Sequence, residues 1–319
     1  MKILIADKIQ DSVAESLSDK GHVCTIDSSL TSDLLPGSIT DHEVLVVRST
    51  RVEVETIDKA SDLKLIVRAG AGTNTIDKEY AASKGIKVCN VPGANSIAVA
   101  ELVMGLIISI DRKIPDNVYD LRQGIWNKKK HSAAKGIYGR NLGILGLGSI
   151  GLALAERAKA FGMKVFGVEK TSRSEESKTK ISEVGITLLR SREELLKKCD
   201  VVSLHLPSVP ETKNLVDENF LSQMNDGAIL VNTSRGELVD ENALIKAMNE
   251  KGIRVALDVY ADEPGAGESE FKNQIGEHPN VYGTHHIGAS TQQAQDAVAE
   301  GVIEVIETFA NGGIINCVN

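Results

Sequence analysis

The hexapeptide Gly146-Leu147-Gly148-Ser149-Ile150-Gly151 constrains the fold more than any other feature of the chain, because of what flanks it. The apolar run Asn-Leu-Gly-Ile-Leu (141–145) precedes it, a helical pattern (152–162) follows, and a second apolar run, Lys-Val-Phe-Gly-Val-Glu (164–169), comes next. A bare GxGxxG carries little information, but strand, glycine loop, helix and strand in that order form the unit that binds dinucleotides. Gly146 permits the tight turn, Gly148 lets the backbone approach a pyrophosphate, and Gly151 lets helix and strand pack closely. Ser149 and Ile150 open the helix, whose N-terminus faces the negative charge. Glu169 stands 23 residues after Gly146 (169 − 146), near the ~20 expected for the acid that accepts the ribose hydroxyls. A carboxylate there favours NAD and repels the 2′-phosphate of NADP. Lys170 and Arg173 follow closely and soften that preference, so NADP stays open.

The same strand–helix texture runs through most of the 319 residues, a length that suits two α/β domains. Short apolar runs alternate with amphipathic stretches from KILIAD to IKVCNV, which predicts a parallel sheet covered by helices. From about Asn95 a long helical pattern without strand signal reads as an interdomain connector. A second strand series opens at Asn141 and runs to VYGTHHIG, and a last helical stretch ends at paired glycines. The expected arrangement is discontinuous: residues 1–97 with 290–319 form one domain, and 98–289 form an inserted one.

Bulk properties exclude several classes. Hydrophobic residues at 42% and charged residues at 25% disfavour disorder and a membrane protein. A net charge of −8 argues against a general nucleic-acid binder and requires a local basic pocket for any anionic substrate. Cys24, Cys89, Cys199 and Cys317 lack metal-ligand spacing, so reduced thiols, no metal and a cytoplasmic location are expected.

Three polar groups fall at or past the ends of later strands, where open α/β sheets bind ligands. Arg235, in Val-Asn-Thr-Ser-Arg-Gly, can offer a planar fork to a carboxylate. Asp258 and Glu263 lie in Asp-Val-Tyr-Ala-Asp-Glu-Pro, and His285 and His286 in Gly-Thr-His-His-Ile-Gly. Hydride exchange at a carbonyl needs a proton donor for the oxygen, and histidine titrates near working pH. A carboxylate beside it favours imidazolium and fixes the ring. Alone, such a histidine is more often structural, and a lone strand-end arginine more often a surface ion pair. The combination with a dinucleotide loop reverses that balance.

The residues quoted so far, with VRSTRV, VRAGAGTNTID, NVPGANSIAVAEL, VVSLHLPSVPET and HHIGAST, resemble the D-isomer-specific 2-hydroxyacid dehydrogenases, and within them the group of D-3-phosphoglycerate dehydrogenases. The similarity runs along essentially the whole chain. It implies a Rossmann-type NAD-binding domain inserted into a flavodoxin-like substrate domain, and a homodimer built largely through the cofactor domains. It places the catalytic arginine, carboxylate and acid/base histidine on Arg235, Glu263 and His286. It assigns Asp258 and the Thr233 carbonyl to the nicotinamide carboxamide, and His205, Leu206, Pro207, Thr212 and Gly288 to the cofactor's surroundings. The backbone of Ala71-Gly72-Thr73 would receive the substrate carboxylate, Arg48 and Arg68 the substrate phosphate, and Lys128 would reach in from the partner subunit.

Two departures from the family stand out. His285 replaces the proline usual before the catalytic histidine and is expected to be a bystander. The chain stops at Asn319, so feedback through the serine-binding domain of longer relatives is not expected. The implied reaction is NAD-dependent oxidation of D-3-phosphoglycerate. The rival is reduction of hydroxypyruvate or glyoxylate, which has no use for Arg48, Arg68 and Lys128. Formate oxidation fits less well, because it has no use for a Glu263–His286 pair. From another class comes an NAD-sensing corepressor, whose long disordered tail or added recognition segment is not seen in this sequence.

Overall fold

Continuous apolar runs form the strands, as a sheet buried on both faces requires. The computed structural model describes residues 1–264 and 268–319. The chain divides into two units, Met1–Ser96 with Ala289–Asn319, and Ile97–Gly288.

The first unit holds β1 (Lys2–Ile5), β2 (Val23–Ile26), β3 (Val44–Val47), β4 (Leu65–Arg68) and β5 (Lys87–Asn90). All pair in parallel, in the order β2-β1-β3-β4-β5, the flavodoxin-like arrangement. β3 is buried at every position, so alternation is absent where helices cover both faces. On one face Ile3, Val44 and Val67 pack with Val302, Val305 and Ile306 of the helix Gln292–Ala310. On the other, Leu45 and Ile66 pack with Leu35 and Ile57. Gly301 makes the first contact possible: a Cβ there would lie 2.4 Å from Val91. The last long helix therefore belongs to the first sheet.

The second unit holds β6 (Asn141–Leu145), β7 (Lys164–Val168), β8 (Thr187–Leu189), β9 (Val201–Leu204), β10 (Ile229–Asn232), β11 (Arg254–Leu257) and β12 (Val281–Gly283). The order is β12-β11-β10-β9-β6-β7-β8, all parallel. Counted from β6 this is the Rossmann order 3-2-1-4-5-6 with one strand added at the far edge. The order reverses between β6 and β9, so the carboxyl ends of those strands mark the ligand crevice.

The single helical stretch expected after Asn95 is two helices, Ser96–Arg112 and Ile114–Arg122. Lys113 takes φ 50°, and Pro115 in the first turn of the second helix cannot donate back into the first. Among the described residues no helix is long and apolar enough to cross a membrane.

Candidate active site

The glycine loop leaves β6 at Gly146, whose φ of 105° and whose contact with the His205 carbonyl, 2.0 Å from any added Cβ, admit no other residue. Gly151 is equally fixed, since its Cβ would sit 2.1 Å from the Gly146 carbonyl. Gly148 differs: a Cβ there would meet nothing within 4 Å, so the bare backbone opens onto free space. The helix Ser149–Ala160 starts at this glycine without a side-chain cap, whereas Ser174, Ser191, Asp217 and Asp240 cap other helices of the unit. Uncapped amides beside an open glycine fit a pyrophosphate. Glu169 is exposed just past β7, with its amide donating to the Leu189 carbonyl at 2.8 Å. Arg173 donates to the Val168 carbonyl at 2.7 Å behind it.

At the ends of β10, β11 and β12, three consecutive neighbours in the sheet, stand Arg235, Glu263 and His286. His286 Nδ1 lies 2.6 Å from Glu263 Oε1, with the two side chains 50% and 34% exposed. With a carboxylate as acceptor Nδ1 is the donor, which leaves Nε2 as the nitrogen able to exchange a proton. His286 takes φ 51°, uncommon outside glycine and a mark of a backbone held by its surroundings. The holder is Asp258, only 1% exposed. Its Oδ1 accepts from the Thr284 hydroxyl at 2.6 Å and the Ile287 amide at 2.8 Å, and its Oδ2 from the Gly288 amide at 2.9 Å. Its carbonyl accepts the His286 amide at 2.8 Å.

The Arg235 guanidinium donates to the Ser234 carbonyl at 2.6 Å, and its carbonyl accepts from Asn232 Nδ2 at 2.8 Å. Ser234 Oγ in turn ties the turn to the Leu204 carbonyl of β9. Gly236 lets this turn touch the one carrying Glu263: an added Cβ would be 2.0 Å from the Tyr260 carbonyl carbon. Thr233 Oγ1 is buried without a hydrogen-bond partner among the described residues. Among those residues no three His, Cys, Asp or Glu side chains cluster as a metal site.

Residues 104–288 match the sequence profile of the D-isomer specific 2-hydroxyacid dehydrogenase NAD binding domain, more than half of the chain. The chain belongs to that family. D-3-phosphoglycerate dehydrogenase of Methanocaldococcus jannaschii is 40% identical over 322 residues, covering 100% of this chain and 59% of the relative. The chain thus spans well under two thirds of the length of that curated relative. A structure of the TT0316 protein from Thermus thermophilus matches with a TM-score of 0.88 and 30% identity, covering all of both chains. D-lactate dehydrogenase from Aquifex aeolicus, complexed with NAD and lactic acid, matches with a TM-score of 0.83 and 28% identity over 98% of this chain and 96% of that one.

The second unit of this 2-hydroxyacid dehydrogenase family member is its NAD-binding domain. Burial pushes the His205 imidazole down to about 4, so the ring is neutral, and its Nε2 lies 2.8 Å from Ser203 Oγ. The Thr212 hydroxyl is spent on its own loop, donating to the Pro207 carbonyl at 2.6 Å and accepting the Val209 amide at 3.0 Å. Leu206 packs at the margin of the core, and Pro207 is exposed.

In the first unit, Asp7 Oδ2 collects the amides of Arg48, Ser49 and Thr50 at 2.6, 3.0 and 3.0 Å and so fixes where Arg48 leaves the chain. Arg68 Nη1 donates to the Ala69 carbonyl at 3.3 Å and lies over Gly70, where a Cβ would come within 1.7 Å of it. The loop of Ala71, Gly72 and Thr73 is anchored by Asn90 Nδ2 on the Ala71 carbonyl at 2.6 Å. Lys128 is exposed in the second unit. Sequence reasoning missed Tyr260, whose main chain meets Gly236 and whose hydroxyl meets Gly283, and it missed Asn232, Ser234 and Asp7. Gly236 and Gly283 were the available signal for Tyr260, but a glycine names no partner.

Proposed function

We propose that this chain carries out NAD-dependent oxidation of D-3-phosphoglycerate to 3-phosphohydroxypyruvate, the entry to serine by phosphorylated intermediates. The observation that carries a C2 dehydrogenase reading is the 2.6 Å contact of His286 with Glu263 past the carboxyl ends of strands in the sheet that also carries the glycine loop. The choice of substrate rests on the name of the archaeal relative, 40% identical across this chain.

Bound NAD supplies the hydride acceptor. His286 Nε2 takes the proton of the C2 hydroxyl while Nδ1–H stays on Glu263, so that the carboxylate offsets the charge forming on the ring. Arg235 presents its fork to the substrate carboxylate, helped by the amides of Ala71, Gly72 and Thr73. Arg48 and Arg68, together with Lys128 of the partner subunit, receive the phosphate. Asp258 and the Thr233 carbonyl remain assigned to the carboxamide, with Asp258 already engaged in holding the His286 loop. Glu169 selects NAD over NADP. Orientation and preplaced charge account for most of the rate gain.

A homodimer accounts for side chains that a monomer would leave in water: Trp126 is 83% exposed, and Tyr119, Leu121 and Ile125 nearby are exposed as well. A small anionic metabolite as substrate suits the cytoplasm.

The test is NADH formation with 3-phosphoglycerate, D-glycerate and D-lactate, and NADH against NADPH consumption with hydroxypyruvate and glyoxylate. Turnover of 3-phosphoglycerate well above the unphosphorylated acids is expected, and should collapse toward theirs in Arg48→Ala and Arg68→Ala. Equal turnover with and without the phosphate would make the chain a general 2-hydroxyacid dehydrogenase. NADH binding without turnover on any acid would favour the corepressor-like role. Sedimentation should show a dimer that Trp126→Glu dissociates.

A further inference from the structure

Two of the four thiols stand side by side in the first unit. β5 is the edge of its sheet, and residues 316–319 run antiparallel along it. Asn90 N donates to the Asn316 carbonyl at 3.1 Å and Val318 N to the Val88 carbonyl at 2.8 Å, so Cys89 and Cys317 face each other as the non-hydrogen-bonded pair between those bonds. Such a pair has Cα atoms about 4.5 Å apart with both side chains on one face, inside the range of about 4.4–6.8 Å that disulfides span. Asn319 clamps the register: its Oδ1 accepts the Val88 amide at 2.9 Å, and its Nδ2 donates to the Ile86 carbonyl at 2.9 Å. Cys317 is exposed and Cys89 buried, which separates an entry thiol from a resolving one. Cys24 lies on β2 at the opposite edge of the sheet, and Cys199 is buried in the core of the second unit.

We propose that Cys89 and Cys317 are a reversible redox site, forming an intramolecular disulfide that staples residues 316–319 to β5. The oxidant is a low-molecular-weight disulfide. The Cys317 thiolate attacks one of its sulfurs, expelling a small thiolate and leaving a mixed disulfide on Cys317. Cys89 gives its proton to solvent base, and its sulfur attacks the Cys317 sulfur and expels the second small thiolate. Two protein thiols lose two protons and two electrons, and the small disulfide becomes two small thiols. Burial, and then the neighbouring Cys317, push the Cys89 thiol up to about 12, so ring closure is the slow step and the equilibrium is what to measure. The staple sits one residue from Asn90, the anchor of the Ala71 carbonyl.

The 319-residue chain and its Cys317→Ser variant are equilibrated at pH 8 with oxidised and reduced glutathione in a series of ratios, alkylated, digested and weighed. The wild type is expected to lose two of its four thiols, to yield one peptide pair joined through Cys89 and Cys317, and to regain both thiols with dithiothreitol. Amide exchange over residues 316–319 should slow in the oxidised form. Cys317→Ser should keep Cys89 reduced throughout. Glutathione retained on Cys317 beside a reduced Cys89, a Cys317 cross-link between two chains, oxidation of Cys89 in the serine variant, or unaltered exchange would each overturn the proposal.

Discussion

Two residues past β1, Asp7 gathers the amides of Arg48, Ser49 and Thr50 on one oxygen; one residue past β11, Asp258 gathers the Thr284 hydroxyl and the amides of Ile287 and Gly288 on two. Both carboxylates shape a strand-end loop, in the first unit and the second respectively. They differ in their solvent. Asp7 is partly exposed, and water can replace it at the amides it holds, whereas Asp258 is 1% exposed and its donors include the buried Gly288. A buried donor deprived of its acceptor costs about 1–3 kcal/mol, while one in reach of water costs far less. The second unit's strand ends therefore hold His286 at φ 51° through a buried acceptor, whereas Asp7 holds the first unit's basic loop through bonds that water can reach.

The largest effect that sharpens this contrast is expected from His286→Ala. Its turnover should fall about 10²–10⁴-fold, with NADH affinity, read by fluorescence titration, nearly unchanged. Wild-type turnover would remove His286 from the chemistry altogether. Next comes Asp258→Ala beside Asp7→Ala. Thermal unfolding should show the Asp258 variant losing about 1–3 kcal/mol through the stranded Gly288 amide, and the Asp7 variant much less, with its loss appearing mainly in substrate KM. Equal losses of stability would break the comparison.

A backbone version of the same test compares two glycines of the second unit. Gly236→Ala pushes a methyl into the Tyr260 carbonyl and displaces the turn that carries Glu263, for which a drop of up to about 10²-fold in kcat is expected. Gly148→Ala meets no protein atom, so it should leave the melting temperature in place and weaken NADH binding.

The last effect is one of pH. Burial holds the His205 ring down at about 4, against 6.5 for an ordinary histidine. Between those values the unfolded chain binds the extra proton, so the stability due to a neutral His205 is complete above pH 6.5 and is lost as pH falls toward 4. His205→Asn should flatten that part of the stability profile. An unchanged slope would show that this end of β9 is wetter than its partners.

Much of this was legible along the chain, for reasons that are local. The glycine loop announced itself because only glycine takes φ 105° at Gly146 and only a missing Cβ lets Gly151 meet the Gly146 carbonyl. Strands such as β3 and β10 were legible because burial on two faces demands unbroken apolar runs. The break at Lys113 was obscured because the apolar periodicity continues through it, although Pro115 marked the place.

Partners across the sheet left no trace in spacing. Asp258 could be singled out as a strand-end acid, but its hold on Thr284, Ile287 and Gly288 spans up to 30 residues and depends on β11 and β12 being neighbours. The pairing of Cys89 with Cys317 depends likewise on residues 316–319 returning to the edge of the first sheet. Sequence by itself determined the elements, the cofactor loop and the residue types at the strand ends, because these follow from sterics and burial within a few residues. The tertiary structure alone decided which strand ends are neighbours, because hydrogen bonds between distant segments exist only after the sheets have assembled.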